Sequence, residues 1–186
     1  TPLETLIAVM LSAQCTDERV NKVTPSLFAK YPTALGYAHA NLQELESFIR
    51  STGFYHMKAK HIQEMAQFLV ARHGGKVPDT MPALLELKGV ARKTANIVLI
   101  DAFGKVEGIA VDTHVKRLAG RLGLSTQKNT DKIEADLMRA FPKKQWGDIN
   151  YLLIRLGRDT CKAPTPTCSK CVLVKICPKK GVGKHY

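Results

Sequence analysis

No stretch of this 186-residue chain approaches the roughly 18 consecutive apolar residues that a bilayer-spanning helix requires, so a helical membrane protein is excluded. Alternating apolar and polar residues flanked by hairpin turns are missing too. Residues 108–111 form the one extended-looking stretch, and it is too short to count as a strand. Internal repeats and low-complexity linkers are also lacking, which argues against solenoids and disordered tails. Thr1 is neither an initiator methionine nor part of a basic, apolar, small-residue leader, and it falls where an apolar helix is already expected. The chain is therefore expected to be a fragment at its N-terminus. Acidic side chains are scarce: 16 Asp and Glu face 28 Lys and Arg, a formal charge of +12.

That imbalance calls for a polyanionic partner, nucleic acid foremost, with a solubilising or membrane-facing basic surface as the alternatives. No amphipathic basic helix singles out a membrane. With 45% hydrophobic residues the chain has the balance of a globular protein, and its length suits one moderate core or two small ones.

The apolar periodicity is helical throughout. Pro2 to Leu11 is nearly all apolar and reads as a buried helix. Pro25 divides Asp17 to Tyr31 into either a kinked helix or two short ones. Asn41 is an N-cap for a stripe of Leu42, Leu45, Phe48 and Ile49 that Gly53 stops, and a longer stripe through Ile62, Met65 and Leu69 ends at Gly74 and Gly75. Leu84, Leu85 and Leu87 lead into a very tight turn at Gly89, after which a helix runs from Arg92 to Phe103. Further helices are expected over Thr113 to Leu122, Asp131 to Ala140, and Trp146 to Leu156 before Gly157. The fold class is all-α.

Cys161, Cys168, Cys171 and Cys177 crowd into one seventeen-residue window, separated by six, two and five residues. Two disulfides packed into so small a loop would be strained, and a helical, lysine-rich chain has no need of them. The set reads as four metal ligands, and the spacing leaves tetrahedral zinc and an iron–sulfur cluster both open. Cys15 stands apart in an apparently apolar helix and reads as a small buried hydrophobe.

In Leu87 to Asn96 (LKGVARKTAN) a glycine-centred turn opens directly into a helix. The unpaired N–H groups of such a helix start, aided by the helix dipole, can grip a phosphate oxygen; an ordinary helix-turn-helix corner would need the glycine as well. Lys93 lies in the first turn of that helix, where the positive end of the dipole disfavours an ammonium group. A lysine so placed is a candidate nucleophile, although most lysines are solvated surface charges. Asp112 is a good N-cap for the next helix and equally a candidate carboxylate.

Leu11 to Asp17 (LSAQCTD), Leu87 to Asn96 and Val111 to His114 (VDTH), followed by the four cysteines, agree in order and spacing with one family. The chain resembles the endonuclease III family of the helix-hairpin-helix superfamily of DNA glycosylases over essentially its whole length. The resemblance implies two helical lobes, residues 1–106 with the hairpin and residues 107–186 with a [4Fe–4S] cluster held by Cys161, Cys168, Cys171 and Cys177, the active site lying between them. It implies a bifunctional DNA glycosylase and abasic-site lyase of base excision repair. Lys93 would attack C1′ of the damaged nucleotide, and Asp112 would be the essential carboxylate. The expected substrates are oxidised or ring-saturated pyrimidines rotated out of double-stranded DNA. Gly89, Val90, Ala91 and Arg92 would hold the backbone. Gln14 would fill the gap left by the extruded base, with Phe54 as a wedge; a surface amide or cap and a core aromatic are the structural alternatives. The same likeness implies a monomer in a bacterial or archaeal cytoplasm, associated with the nucleoid, without a membrane partner.

Departures from the family pattern are as informative. Lys88 stands where many members have proline, and Ala91 where the hairpin often has a second glycine, so the turn is expected to be less stiff and more crowded, yet intact because Gly89 keeps the position that needs positive φ. Ala8 occupies the place of the catalytic glutamate of the adenine glycosylase branch, which lacks the hairpin lysine. A pyrimidine-dimer glycosylase on the same scaffold fits these motifs, as does a cluster-bearing DNA-binding module that never cuts. No acid follows Asp159, while Lys162, Lys170, Lys175, Lys179, Lys180 and Lys184 surround the ligands. They form a basic face toward DNA or offset the cluster's negative charge.

Overall fold

A computed structural model describes residues 1–183; Lys184, among the lysines named above, lies outside them. Ten α-helices and three short 3-10 turns make up the described residues, which contain no strand. They fall into two compact units, Thr1–Lys105 and the chain from Val106 onward. No helix among them is long and apolar enough to cross a membrane.

In the first unit, α1 (Pro2–Leu11) begins just after Thr1, which lies outside the helix as its N-cap. The Thr1 hydroxyl accepts from Glu4 N–H at 3.3 Å, and the Glu4 carboxylate accepts from the Thr1 amino group at 2.7 Å. The next helix, α2 (Asp17–Lys30), runs unbroken through Pro25. Proline inside a helix costs about 3 kcal/mol, and a buried aliphatic side chain returns about 1.5–3 kcal/mol, so Val20, Val23 and Leu27 on the buried face outweigh it. Between α2 and α4 (Leu42–Ile49) lies α3 (Ala34–Ala38), five residues capped by Thr33, too short for its apolar period to show in the sequence. After α4 a 3-10 turn, Arg50–Thr52, leads to α5 (Tyr55–His73), α6 (Met81–Leu85) and α7 (Arg92–Phe103). Leu6, Ile7, Leu45, Ile62, Met65 and Leu99, from four of these helices, are fully buried in one core. In it α7 packs against both α1 and α6.

The second unit is built on α8 (Thr113–Arg121), α9 (Thr130–Ala140) and α10 (Trp146–Asp159), around Ile109, Val115, Leu118, Ile133 and Leu137. The expected end of α10 before Gly157 is corrected: the helix continues to Asp159. Gly157 is there for close packing. A Cβ at this position would lie 2.9 Å from His114 Nδ1 and 3.0 Å from an Arg117 guanidinium nitrogen, and Arg117 donates to Gly157 C=O at 3.0 Å. The glycine lets α8 and α10 approach each other, at the modest helical cost of about 1 kcal/mol.

Candidate functional site

The turn between α6 and α7 is held from inside. Leu87 and Val90 are buried, and Val90 N–H donates to Leu87 C=O at 3.1 Å, closing the corner. Gly89 has φ +77°, and a Cβ there would meet His61 Cβ and Met10 Cε at 3.1 Å each. The backbone sign calls for glycine, and the space around it is tight as well. Ala91 adopts an ordinary extended conformation, φ −103° and ψ 171°, so the expected crowding does not arise. As N-cap of α7 it offers no side-chain acceptor, which leaves the first-turn N–H groups to an acceptor from outside the helix. Lys88 and Lys93 are exposed and Arg92 is partly so. The corner therefore presents a helix N-terminus flanked by cations, the electrostatic form of an anion site.

Gln14 and Phe54, from two other loops of this unit, share an unusual backbone. Both are non-glycine residues in the left-handed region, with φ 52° and 50°, and both are exposed. Phe54 is 65% accessible, which overturns the alternative of a core aromatic. A bulky aromatic left in water at a left-handed position is costly to the fold twice over, the pattern of strain kept for function.

Asp112 lies in the second unit as the N-cap of α8, its Oδ1 accepting from Val115 N–H at 2.8 Å. The strand-like approach to it is fixed: Ile109, Ala110 and Val111 are buried, and Asn150 of α10 donates to Ala110 C=O at 2.5 Å. One carboxylate oxygen is thus engaged by the helix start. His114 is partly buried, its Nδ1 3.3 Å from Arg117, in the tight crossing beside Gly157.

All four cysteines of the array line a single pocket, walled by Leu118, Leu122 and Leu156. None is in a disulfide. Among the described residues, no three His, Cys, Asp or Glu side chains gather as a site for a single metal ion. Polar hydrogens reach the sulfurs: Arg121 Nη1 lies 3.3 Å from Cys161 Sγ, and Lys179 N–H donates to Cys177 Sγ at 3.4 Å. The same guanidinium donates to the carbonyls of Cys161, Lys162 and Pro164, folding the loop around itself. Lys179 lines the pocket, whereas Lys162, Lys170, Lys175 and Lys180 are exposed.

Sequence reasoning passed over Arg121. It was legible only as a basic residue in the last turn of α8, and nothing local connects it with a loop forty residues away. Cys15 also needs correction: it follows α1 in a bend rather than lying in a helix, although it does pack against the core.

The profile of the HhH-GPD superfamily base excision DNA repair proteins matches residues 7–143, from within α1 to the turn before α10. Likeness to whole proteins covers nearly all of the chain, the cysteines included. Endonuclease III of Synechocystis sp. is 51% identical over 96% of this chain and 81% of its own length, and that of Bacillus subtilis 45% identical over 99% and 87%. A solved structure of a trapped covalent endonuclease III–DNA intermediate superimposes with a TM-score of 0.90 at 46% identity, covering 96% of this chain and 84% of that one. The chain belongs to the endonuclease III family, within the HhH-GPD superfamily of base excision DNA repair proteins.

Proposed function

We propose that this base excision DNA glycosylase and abasic-site lyase acts on oxidised or ring-saturated pyrimidines in duplex DNA, with Lys93 as nucleophile and Asp112 as the carboxylate of the reaction. The observation that carries the reading is the uncapped start of α7, with exposed Lys93 in its first turn behind a corner built on Gly89. Backbone N–H groups of the hairpin, with Arg92 beside them, hold a phosphate and thereby fix the approach of the amine to the sugar.

The chemistry follows from the two groups. As the bond from C1′ to the base lengthens, positive charge develops on the sugar, and the Asp112 carboxylate stabilises it. The Lys93 amine forms a bond to C1′, the base departs with its electron pair and takes up a proton, and the sugar ring opens to a protonated imine. That imine makes the C2′ proton acidic; its loss expels the 3′ phosphate and nicks the strand, and water releases the lysine. Gln14 and Phe54 occupy the helix where the rotated nucleotide stood, replacing lost stacking. The trapped covalent endonuclease III–DNA intermediate of a relative supports a covalent step of this kind.

The residues of the second unit fit a [4Fe–4S] cluster. Four thiols lining one apolar-walled pocket suit such a cluster, each thiolate of which would bind a different iron. The Arg121 guanidinium and the Lys179 backbone N–H donate to the sulfurs of Cys161 and Cys177. When bound, the cluster cross-links the loop. The purified protein is expected to be brown, to contain iron and acid-labile sulfide near four per chain, and to lose both in Cys171→Ser; a colourless protein fully loaded with zinc would overturn this. With its bacterial relatives as the guide, we place the enzyme as a monomer on chromosomal DNA in the cytoplasm, free of membrane partners.

Borohydride trapping on duplexes carrying thymine glycol, a pyrimidine dimer, an abasic site or no lesion tests the substrate reading. Covalent capture is expected with thymine glycol and the abasic site. Capture with the dimer in preference to thymine glycol would reassign the enzyme as a dimer glycosylase.

A further inference from the structure

One buried cation in the first unit belongs to none of the steps above. Lys58, on the first turn of α5, is 7% accessible, and its ammonium donates to two backbone carbonyls, Leu11 at 2.8 Å and Thr52 at 2.9 Å. Leu11 ends α1, and Thr52 ends the 3-10 turn after α4. Both carbonyls are among those a helical segment leaves unbonded at its C-terminal end, where a positive charge is also favoured by the dipole. From Leu11 the chain runs three residues to Gln14; from Thr52 it runs two to Phe54. These are the two exposed left-handed residues of the unit's loops before α2 and α5.

We propose that Lys58 is a positioning residue that ties the Gln14 and Phe54 loops into one rigid wedge for extruding the damaged nucleotide. The proposal rests on the assignment of Gln14 and Phe54 to the gap in the duplex.

Three features support it. Lys58 grips the Phe54 loop twice, since its backbone N–H donates to Phe54 C=O at 3.0 Å while its side chain turns back to Thr52. A helix side chain leans toward its own N-terminus, so a lysine in the first turn is placed to reach the loop that precedes it. Burial disfavours the ammonium and pushes its pKa down, opposed by nearby Cys15. An apolar residue would avoid that cost, and a merely stable core does not require a cation at this point. Left-handed backbone at Gln14 and Phe54 persists only where the surroundings over-determine it, and the shared ammonium is such a constraint.

Lys58→Met keeps the length of the side chain and removes its donors. Excision of thymine glycol paired in duplex DNA is expected to fall by about tenfold to a hundredfold, the loss of one or two charged hydrogen bonds. Cleavage at a preformed abasic site, where no base has to be pushed out, is expected to stay within about threefold of wild type, since only the extrusion step loses binding energy. A Gln14→Ala, Phe54→Ala background is expected to erase most of the difference made by Lys58→Met, because residues acting as a unit are not additive. Equal losses on both substrates, or an undiminished loss in that background, would overturn the proposal and leave Lys58 a stabilising residue only. Should Lys58→Met not fold, Lys58→Arg, which keeps the cation but displaces its donors, is expected to show the same skew toward abasic DNA; equal losses there would count equally against it. A wild-type enzyme inactive on thymine glycol yet active on abasic DNA would refute the substrate reading instead, and another lesion cleaved by the wild type would then serve as the paired substrate.

Discussion

Lys93→Gln is expected to abolish the borohydride-trapped adduct and to slow strand cleavage at abasic sites by roughly a thousandfold or more, the scale seen when a covalent nucleophile is removed. No other amine is expected to inherit the position, because the corner that carries Lys93 is fixed by Gly89 and by the buried Leu87 and Val90. The fold is expected to be indifferent. Lys93 is exposed, and an ammonium in the first turn of a helix opposes the dipole, so removing it leaves stability unchanged or raises it by about 0.3–1 kcal/mol. Affinity for a duplex with a non-cleavable abasic analogue is expected to drop only by the loss of one positive charge. A variant that still yields an adduct on abasic DNA would remove Lys93 from the chemistry and shift attention to Lys88, the exposed lysine before Gly89.

Asp112→Asn separates the proposed catalytic role from the capping role of the same side chain. Asparagine ranks with aspartate as an N-cap, so Val115 N–H keeps its acceptor and thermal stability is expected to shift by less than about 1 kcal/mol. Charge at the sugar is another matter. Removing the carboxylate's negative charge is expected to lower base excision by about a hundredfold to a thousandfold, the size of effect found for a single electrostatic contact made in the transition state. Asp112→Ala loses the cap as well and is expected to be destabilised by a further ~1 kcal/mol, with no larger catalytic loss than Asn. Single-turnover excision and thermal melting on the two variants read these effects independently. Full excision activity in Asp112→Asn would reduce Asp112 to its capping role.

Most helices were legible because each is amphipathic and each is closed by residues with a mechanism. Asn41 caps α4 with its side chain, accepting from Glu44 N–H at 3.0 Å, and Gly74 ends α5 in the left-handed conformation that only glycine reaches without cost. The misreadings have a common cause. Gly157 looks like a helix stop and is a packing site, and Cys15 looks helical and lies in a bend. In each instance the local propensity is real and tertiary packing decides against it.

The site divides along the same line. Lys93 by itself is one exposed lysine among many; the role proposed for it was readable only through Gly89 on one side and the VDTH segment on the other. Gln14 and Phe54 were legible as family positions, but their left-handed backbone was not, since nothing in either residue type signals it.

The sequence by itself determined the all-helical class, the glycine corner, the lysine and aspartate in their helix-start positions, and the four thiols in one short window, because each of these depends on residues within a turn or two of one another. Only the tertiary structure decided that Arg121 points its guanidinium at the thiol loop forty residues on, that His114 and Arg117 require Gly157, and that Lys58 joins the ends of two segments 41 residues apart. Such contacts are set by how helices pack. Their energies come from desolvation and geometry at a distance along the chain, and no local pattern records them.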